Sequence, residues 1–181
     1  MTRQHRTAPP LDAARLDRLA LRYVERYATT RGKLRDYLTR KVRERGWEGA
    51  DPADPAALAE RMAELGYIDD RGFAEARAAA MGRRGLGARR IAGAFHQAGI
   101  AAEDAEAVRP AIDARAESSA LAFARRRRLG PFGNGDADRS VRDRALAAML
   151  RAGHGFDLSR RIVALTPDEL AALVSGPDDE A

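Results

Sequence analysis

Apolar residues along this chain recur at three- and four-residue spacing, the signature of helices with one buried face. Leu16, Leu19, Tyr23 and Tyr27 predict a first helix from about Asp12 to Ala28, with these four as its buried stripe. Leu34, Tyr37, Leu38 and Val42 share one face of a second, about Arg31 to Arg45, with Asp36, Arg40 and Arg43 opposite. Thr30 precedes it as N-cap, a position where a side-chain oxygen takes an orphan backbone N–H. Asp54 caps a third helix, Pro55 occupies its first position, Leu58, Met62 and Leu65 form its stripe, and Gly66 ends it.

The pattern then repeats. Tyr67-Ile68-Asp69-Asp70 reads as an extended link leading into an aspartate cap, with Phe73 in the first turn. Two apolar residues ahead of a cap resemble a hydrophobic staple. A helix to about Arg83, a turn at Gly85 and Gly87, and a helix from Ala88 to Ala98 follow. In the latter Ile91, Ala94, Phe95 and Ala98 cluster opposite Arg89, Gly93, His96 and Gln97. A sixth helix starts near Ala102 and should be disturbed at Pro110. The third round has a long helix ending in Arg125-Arg126-Arg127-Arg128, a glycine-rich turn at 130–135, a helix from about Asp138 to Ala152, and a short one from Asp157 to Leu165. Thr166-Pro167-Asp168 starts a last short helix before an acidic tail.

Gly46, Gly99 and Gly153 close corresponding helices 53 and 54 residues apart, each followed by a bulky apolar residue: Trp47, Ile100, and Phe156 after a short slip. A fixed period of this length marks one supersecondary unit copied in tandem. The expected fold is all-α, three tandem three-helix repeats forming an elongated, curved array. The expected divisions are a disordered tail at 1–10, repeats at 11–66, 67–115 and 116–165, and a short helix with acidic tail at 166–181.

Composition narrows the class. The 181 residues include no cysteine, which removes disulfides and thiolate metal sites and suits a reducing, cytoplasmic setting. No apolar run approaches the ~20 residues of a membrane span, and MTRQHRTAPP lacks the apolar centre of a secretory signal. The overall charge of +5 conceals an alternation: +7 over 1–50, −5 over 51–70, +5 over 71–100, −3 over 101–120, +6 over 121–165 and −5 over 166–181. Basic helices sharing a face would present a positive stripe to a polyanion or an acidic protein groove.

No catalytic constellation is visible, so an enzyme is not expected. The histidines His5, His96 and His154 fall in no metal-binding spacing, and Gly85-Leu86-Gly87 lacks the lysine and threonine of a phosphate loop. Asp69 and Asp70 read as helix-start carboxylates rather than a metal pair. The chemistry that is present is guanidinium. Arg31, Lys33 and Arg35 lie at the turn of the first repeat, Arg83, Arg84, Arg89 and Arg90 at that of the second, and Arg125, Arg126 and Arg127 at that of the third. Such groups form bidentate contacts with phosphate or carboxylate. Trp47, Tyr67, Phe73 and Phe95 occupy core-like positions, which argues against a base-stacking platform.

The segment Leu65-Gly66-Tyr67-Ile68-Asp69-Asp70-Arg71-Gly72-Phe73-Ala74-Glu75-Ala76, continued by Arg83-Arg84-Gly85-Leu86-Gly87-Ala88-Arg89-Arg90-Ile91 and Gln97-Ala98-Gly99-Ile100, resembles the RecX family of recombinase regulators. The stretch from Leu34 through Leu38 and Val42 to Arg45-Gly46-Trp47 is similar to the corresponding first-repeat helix. The likeness covers about 18–100 well and 138–165 fairly; the long turn at 130–135 and the extra pair in Gly153-His154-Gly155-Phe156 depart from it. The resemblance implies a monomeric cytoplasmic protein without cofactor. It implies binding to the RecA recombinase and its filaments on single-stranded DNA, with inhibition of ATPase, strand exchange and coprotease activity, restraining DNA repair and the SOS response. Direct contact with DNA phosphates would accompany this. The family motif falls on Tyr67, Ile68, Asp69, Asp70 and Phe73, here read as scaffold, and the turn arginines would form the binding surface. The alternative is a non-specific DNA- or RNA-binding helical repeat with no recombinase partner.

Overall fold

The computed structural model describes residues 9–133 and 138–174. Residues 1–8 of the expected tail at 1–10, with His5, the turn residues Asn134 and Gly135, and the acidic tail at 175–181 lie outside the described residues. Ten α-helices follow in order: α1 Ala13–Arg26, α2 Arg31–Arg45, α3 Pro55–Glu64, α4 Asp70–Arg83, α5 Ala88–Ala98, α6 Ala102–Asp113, α7 Ala116–Arg127, α8 Arg139–Arg151, α9 Phe156–Ala164 and α10 Pro167–Val174. No strand forms among the described residues; an isolated parallel bridge joins Leu11 and Trp47. The protein is all-α, as its periodicity predicts.

Caps set the boundaries. Thr30 accepts the N–H of Lys33, Asp54 that of Ala57 and Asp138 that of Val141, each satisfying a donor that the first helical turn leaves open. Asp69 takes the N–H of Gly72 at 2.8 Å and so caps α4. Pro110 does not disturb α6, which runs through it to Asp113 with Ala114 N–H donating to Pro110 C=O at 2.9 Å. The proline is exposed and one turn from the helix end, where the carbonyl it leaves without a donor opens to water.

Packing cuts across the sequence period. One compact unit holds the described residues up to Ala74 together with Phe95–Ala105; the other holds Glu75–Ala94 and the described residues from Glu106 onward. In the first unit Leu11, Leu16, Leu34, Leu38, Leu58, Met62 and Ile68 form a buried core, flanked by half-buried Tyr23, Tyr37 and Trp47. In the second, Ala124, Ala145, Met149, Ile162 and Val163 form another, flanked by Phe123, Leu129 and Phe132. Two stripe residues are corrections: Leu65 is 62% exposed and Tyr27 49% exposed. Tyr27 is the extended residue that ends α1 and has left the helical register; Leu65 keeps helical dihedrals and donates its N–H to Arg61 C=O at 3.0 Å, but it lies one residue past α3, beyond Met62 and Ala63, where the helix meets the core.

The glycine period has a backbone cause. Gly46, Gly99 and Gly153 all adopt positive φ, at 80°, 66° and 96°, a region side chains avoid. In the first unit the start of α2 lies against the end of α5: a Cβ on Gly32 would come within 2.6 Å of the Gly99 Cα, and the Thr30 hydroxyl donates to the Ala98 carbonyl. The second unit holds the same joint one period on. The start of α5 lies against the end of α8, Gly87 N–H donates to Ala152 C=O at 2.9 Å, and Arg89 N–H donates to Gly153 C=O at 3.1 Å. At Gly46 the carbonyl instead accepts the N–H of Leu11 at 2.9 Å, while Glu48 N–H donates to Leu11 C=O at 2.8 Å. The N-terminal segment thus occupies the acceptor that a helix start takes in the later joint.

His154 belongs to the second joint. It is buried, and its Nε2 donates to Gly85 C=O at 3.1 Å. Burial pushes its pKa below the ordinary 6.5, against the opposing pull of that hydrogen bond. The fold therefore prefers the neutral ring, while the unfolded chain takes up a proton first as pH falls. Its stabilisation is complete above about pH 6.5 and declines as pH drops from there toward the folded-state pKa. Melting temperatures measured between about pH 7.5 and 5 should fall more steeply for the wild type than for His154→Gln. Parallel slopes would show that the ring does not titrate on unfolding.

Candidate interaction surface at the interhelical turns

The three basic turns differ once their neighbours are counted. Arg31, the first residue of α2, is held by three carboxylates of its own unit. Its Nε meets Asp70 at 2.9 Å, one terminal nitrogen meets Glu60 at 3.0 Å, and the other meets Asp104 at 2.9 Å. Hydrogen bonds to Asp70 and then Glu60 raise its pKa far above the ordinary arginine value, outweighing partial burial. Arg31 is thus a structural hub and not part of a free binding track. Arg35 pairs with Asp36 at 2.9 Å, and Lys33 places its Nζ 4.9 Å from the centre of the Phe73 ring. The first cluster is largely spoken for within its own unit.

The scaffold motif also sorts itself. Ile68 is buried, and Asp69 caps α4. Asp70 has a side chain only 4% exposed, which it spends on Arg31. Phe73 is half-buried beneath Lys33 rather than fully in the core. Tyr67 is 50% exposed, so it is not core; it follows Gly66, whose positive φ of 79° turns the chain outward after α3.

The second and third clusters lie in the other unit. Arg83, Arg84, Arg89 and Arg90 are exposed, and none pairs with a carboxylate among the described residues. Gly85, between them, has positive φ and packs its backbone on Phe123 of α7, where a Cβ would come within 2.8 Å of the Phe123 nitrogen. Arg126 lies 5.8 Å over that same Phe123 ring, and Arg125 and Arg127 are exposed on the same helix. Phe123 therefore bridges the α4–α5 turn to the arginine end of α7. Arg128, which follows them, takes a left-handed φ of 53° and caps α7. The resulting surface offers guanidinium forks without internal counter-ions, suited to phosphate or carboxylate. Its electrostatic neighbours were legible; what sequence reasoning missed was His154, buried beneath the same turn, for which the only signal was its place between Gly153 and Gly155.

Among the described residues no group of His, Asp or Glu could hold a metal ion, and no helix is long and apolar enough to cross a membrane.

No protein-family model matches the chain. Regulatory protein RecX of Myxococcus xanthus (strain DK1622) is 32% identical to it over 160 residues, covering 84% of this chain and 86% of that protein. The chain belongs to the RecX family. Regulatory protein RecX of Thermobifida fusca (strain YX) is 35% identical over 164 residues, covering 87% and 82% of the two chains. A crystal structure of RecX from Lactobacillus salivarius shares the fold with a TM-score of 0.62, over 87% of this chain and 96% of that one, at 19% identity. Within this RecX-family chain, the buried cap at Asp70 and the glycine joints belong to the scaffold, and the arginines around Gly85 and on α7 are what the scaffold exposes.

Proposed function

We propose that this RecX-family protein is a negative regulator of the RecA recombinase. It binds RecA or RecA filaments on single-stranded DNA and inhibits ATPase, strand exchange and coprotease activity, so modulating DNA repair and the SOS response. The observation that carries the reading is the set of exposed, carboxylate-free guanidinium groups at Arg83, Arg84, Arg89 and Arg90, adjoined through Phe123 by Arg126, in a chain of this family. Acidic side chains of a protein groove, or phosphates along a bound strand, satisfy such forks. Arg125 and Arg127 extend the surface. Lys33 and Arg35 contribute only where a partner's acidic group displaces the Phe73 ring or Asp36. Arg31 stays with its three carboxylates. The protein acts as a cytoplasmic monomer and needs no cofactor.

The test is the single-stranded-DNA-dependent ATPase of RecA, with this protein titrated in at fixed near-physiological salt and DNA in excess. Inhibition at protein concentrations well below RecA is expected. The variant carrying Arg83→Glu, Arg84→Glu, Arg89→Glu and Arg90→Glu should require at least about tenfold more protein for the same inhibition, while keeping native circular dichroism; losing two or more charge-assisted contacts exceeds 1.4 kcal/mol. Undiminished inhibition by this variant removes the four arginines from the surface. An unaffected ATPase, with bare DNA still bound, transfers the function to general nucleic-acid binding.

A further inference from the structure

The first unit carries a second basic surface, built on α1 and α2 without the turn cations Arg31, Lys33 and Arg35. Tyr23 of α1 stacks on Tyr37 of α2, with ring centres 4.4 Å apart and planes 24° from parallel. Tyr27 lies beyond, its ring 5.3 Å from Tyr23 and tilted by 54°. Tyr27 is half exposed. Together the three make a short aromatic ladder that starts in the core and ends in water. Cations line it: Arg26 lies 5.5 Å over the Tyr27 ring and Arg40 5.7 Å over Tyr37. Leu19, Arg22 and the residues just named border an open cleft of about 470 Å³. Arg22 and Arg26 have no carboxylate partner among the described residues. Arg40 approaches Glu44 at 3.6 Å, an exposed pair that competes weakly with a bound anion.

We infer that this cleft is a binding site for single-stranded nucleic acid, in which a base stacks on the exposed Tyr27 end of the ladder while Arg22, Arg26 and Arg40 meet the flanking phosphates. Charge and aromatic chemistry choose the occupant together. An acidic protein segment would satisfy the arginines but leave the Tyr27 ring without a flat partner. A duplex keeps its bases stacked inside. A single strand offers both a π-face and a phosphate every nucleotide, the combination that aromatic-and-arginine grooves accept with little regard to sequence. The half exposure of Tyr27 leaves ring surface for a base, and Arg26, 5.5 Å from the ring centre, would turn from the ring to a flanking phosphate as the base docks. The sequence argues against stacking because Trp47, Tyr67, Phe73 and Phe95 hold core-like positions, and it places Tyr27 in the buried stripe of α1. The structure reverses this for Tyr27, where α1 ends and the chain becomes extended. The site does not depend on RecA, and its success or failure leaves the proposed regulation of the recombinase untouched.

The experiment uses the full chain without RecA. Fluorescence anisotropy would compare a labelled oligo(dT) of about 20 nucleotides with an abasic strand of the same length and charge. The wild type should bind oligo(dT) about tenfold more tightly than the abasic strand, as expected for one or two stacked bases. Tyr27→Ala should erase that preference, Tyr27→Phe should keep it, and Arg26→Glu should weaken both strands alike and reduce the salt dependence. Tyr27 is exposed enough for these variants to fold, which circular dichroism checks. Equal affinity of the wild type for the two strands, no binding to either, or a preference that survives Tyr27→Ala would each overturn the site.

Discussion

Asp70→Ala should cost the fold about 2–4 kcal/mol, one of the largest losses available from a single side chain in the first unit. The carboxylate is buried, yet it does two separate jobs for α2. It accepts the backbone N–H of Arg31 at 3.0 Å, which is an open donor of the first helical turn, and it holds the Arg31 Nε at 2.9 Å. Removing it strands that N–H and leaves a half-buried guanidinium with Glu60 and Asp104 alone. Breaking a buried pair on one side costs about 3–5 kcal/mol because the remaining charge is uncompensated. The partial exposure of Arg31 and its two remaining partners bring the figure down. For a chain of this size about 3 kcal/mol corresponds to a fall of roughly 6–12 °C in melting temperature. Asp70→Asn, which keeps one acceptor, should lose less. A variant Asp70→Ala that melts with the wild type would show that water or a neighbour takes over both contacts.

The same hub shows why some arginines are free and others are not. The acidic stretches of the sequence alternate with the basic ones, and those at 51–70 and 101–120 supply Glu60, Asp70 and Asp104 to Arg31. Those carboxylates are consumed at one guanidinium inside one compact unit. Arg83, Arg84, Arg89 and Arg90 lie in a stretch whose only acidic residue is Glu75, so local neutralisation is not on offer there. Charge alternation along the chain therefore does not translate into uniform pairing in space. It leaves one turn saturated and another bare, and the bare one is where a partner's anionic groups gain most.

Much of the fold was legible because caps and glycines act locally. Thr30 and Asp54 each announce a helix by offering an oxygen to a residue three positions on, and α2 and α5 begin and end where the sequence predicts. The candidate site was legible only in part. Arg31 and Arg35 look alike in sequence, but the partners of Arg31 come from 29, 39 and 73 residues away, and no local pattern reports such distances. Tyr23, Tyr27 and Tyr37 share a helical spacing that signals core. Whether the last of a stripe is buried depends on where the helix stops relative to its neighbours, which is a matter of packing. His154 carries no signal beyond its place between Gly153 and Gly155, because its burial is set by the fit of Gly87 against Gly153, two positions far apart in the chain.

That fit gives the second large effect. Gly87→Ala should destabilise the protein by about 3–5 kcal/mol, although Gly87 needs no unusual φ and a methyl group is the smallest addition possible. A Cβ there would come within 2.4 Å of the Gly153 carbonyl carbon and oxygen and 2.5 Å of the His154 nitrogen. These are backbone atoms, which cannot rotate away as a side-chain tip does. The start of α5 would have to withdraw from the end of α8, lengthening the bonds from Gly87 N–H to Ala152 and from Arg89 N–H to Gly153. Overpacking alone costs about 1–3 kcal/mol, and each weakened hydrogen bond adds about 1 kcal/mol. Gly32→Ala should act similarly in the first unit, where the added atom meets Gly99 at 2.6 Å. Gly93→Ala is the internal control: it sits exposed in the middle of α5 with nothing within 4 Å of its added Cβ, and should stabilise by about 0.5–1 kcal/mol through the unfolded chain. Urea denaturation of the three variants separates steric contact from helix propensity: propensity favours alanine at Gly32 and Gly93, inside α2 and α5, whereas Gly87 is the N-cap of α5, where exchanging glycine for alanine adds at most a modest capping loss to the steric one. If Gly87→Ala were as stable as Gly93→Ala, the close backbone approach at the joint would not exist, and the glycine period of the sequence would need another cause.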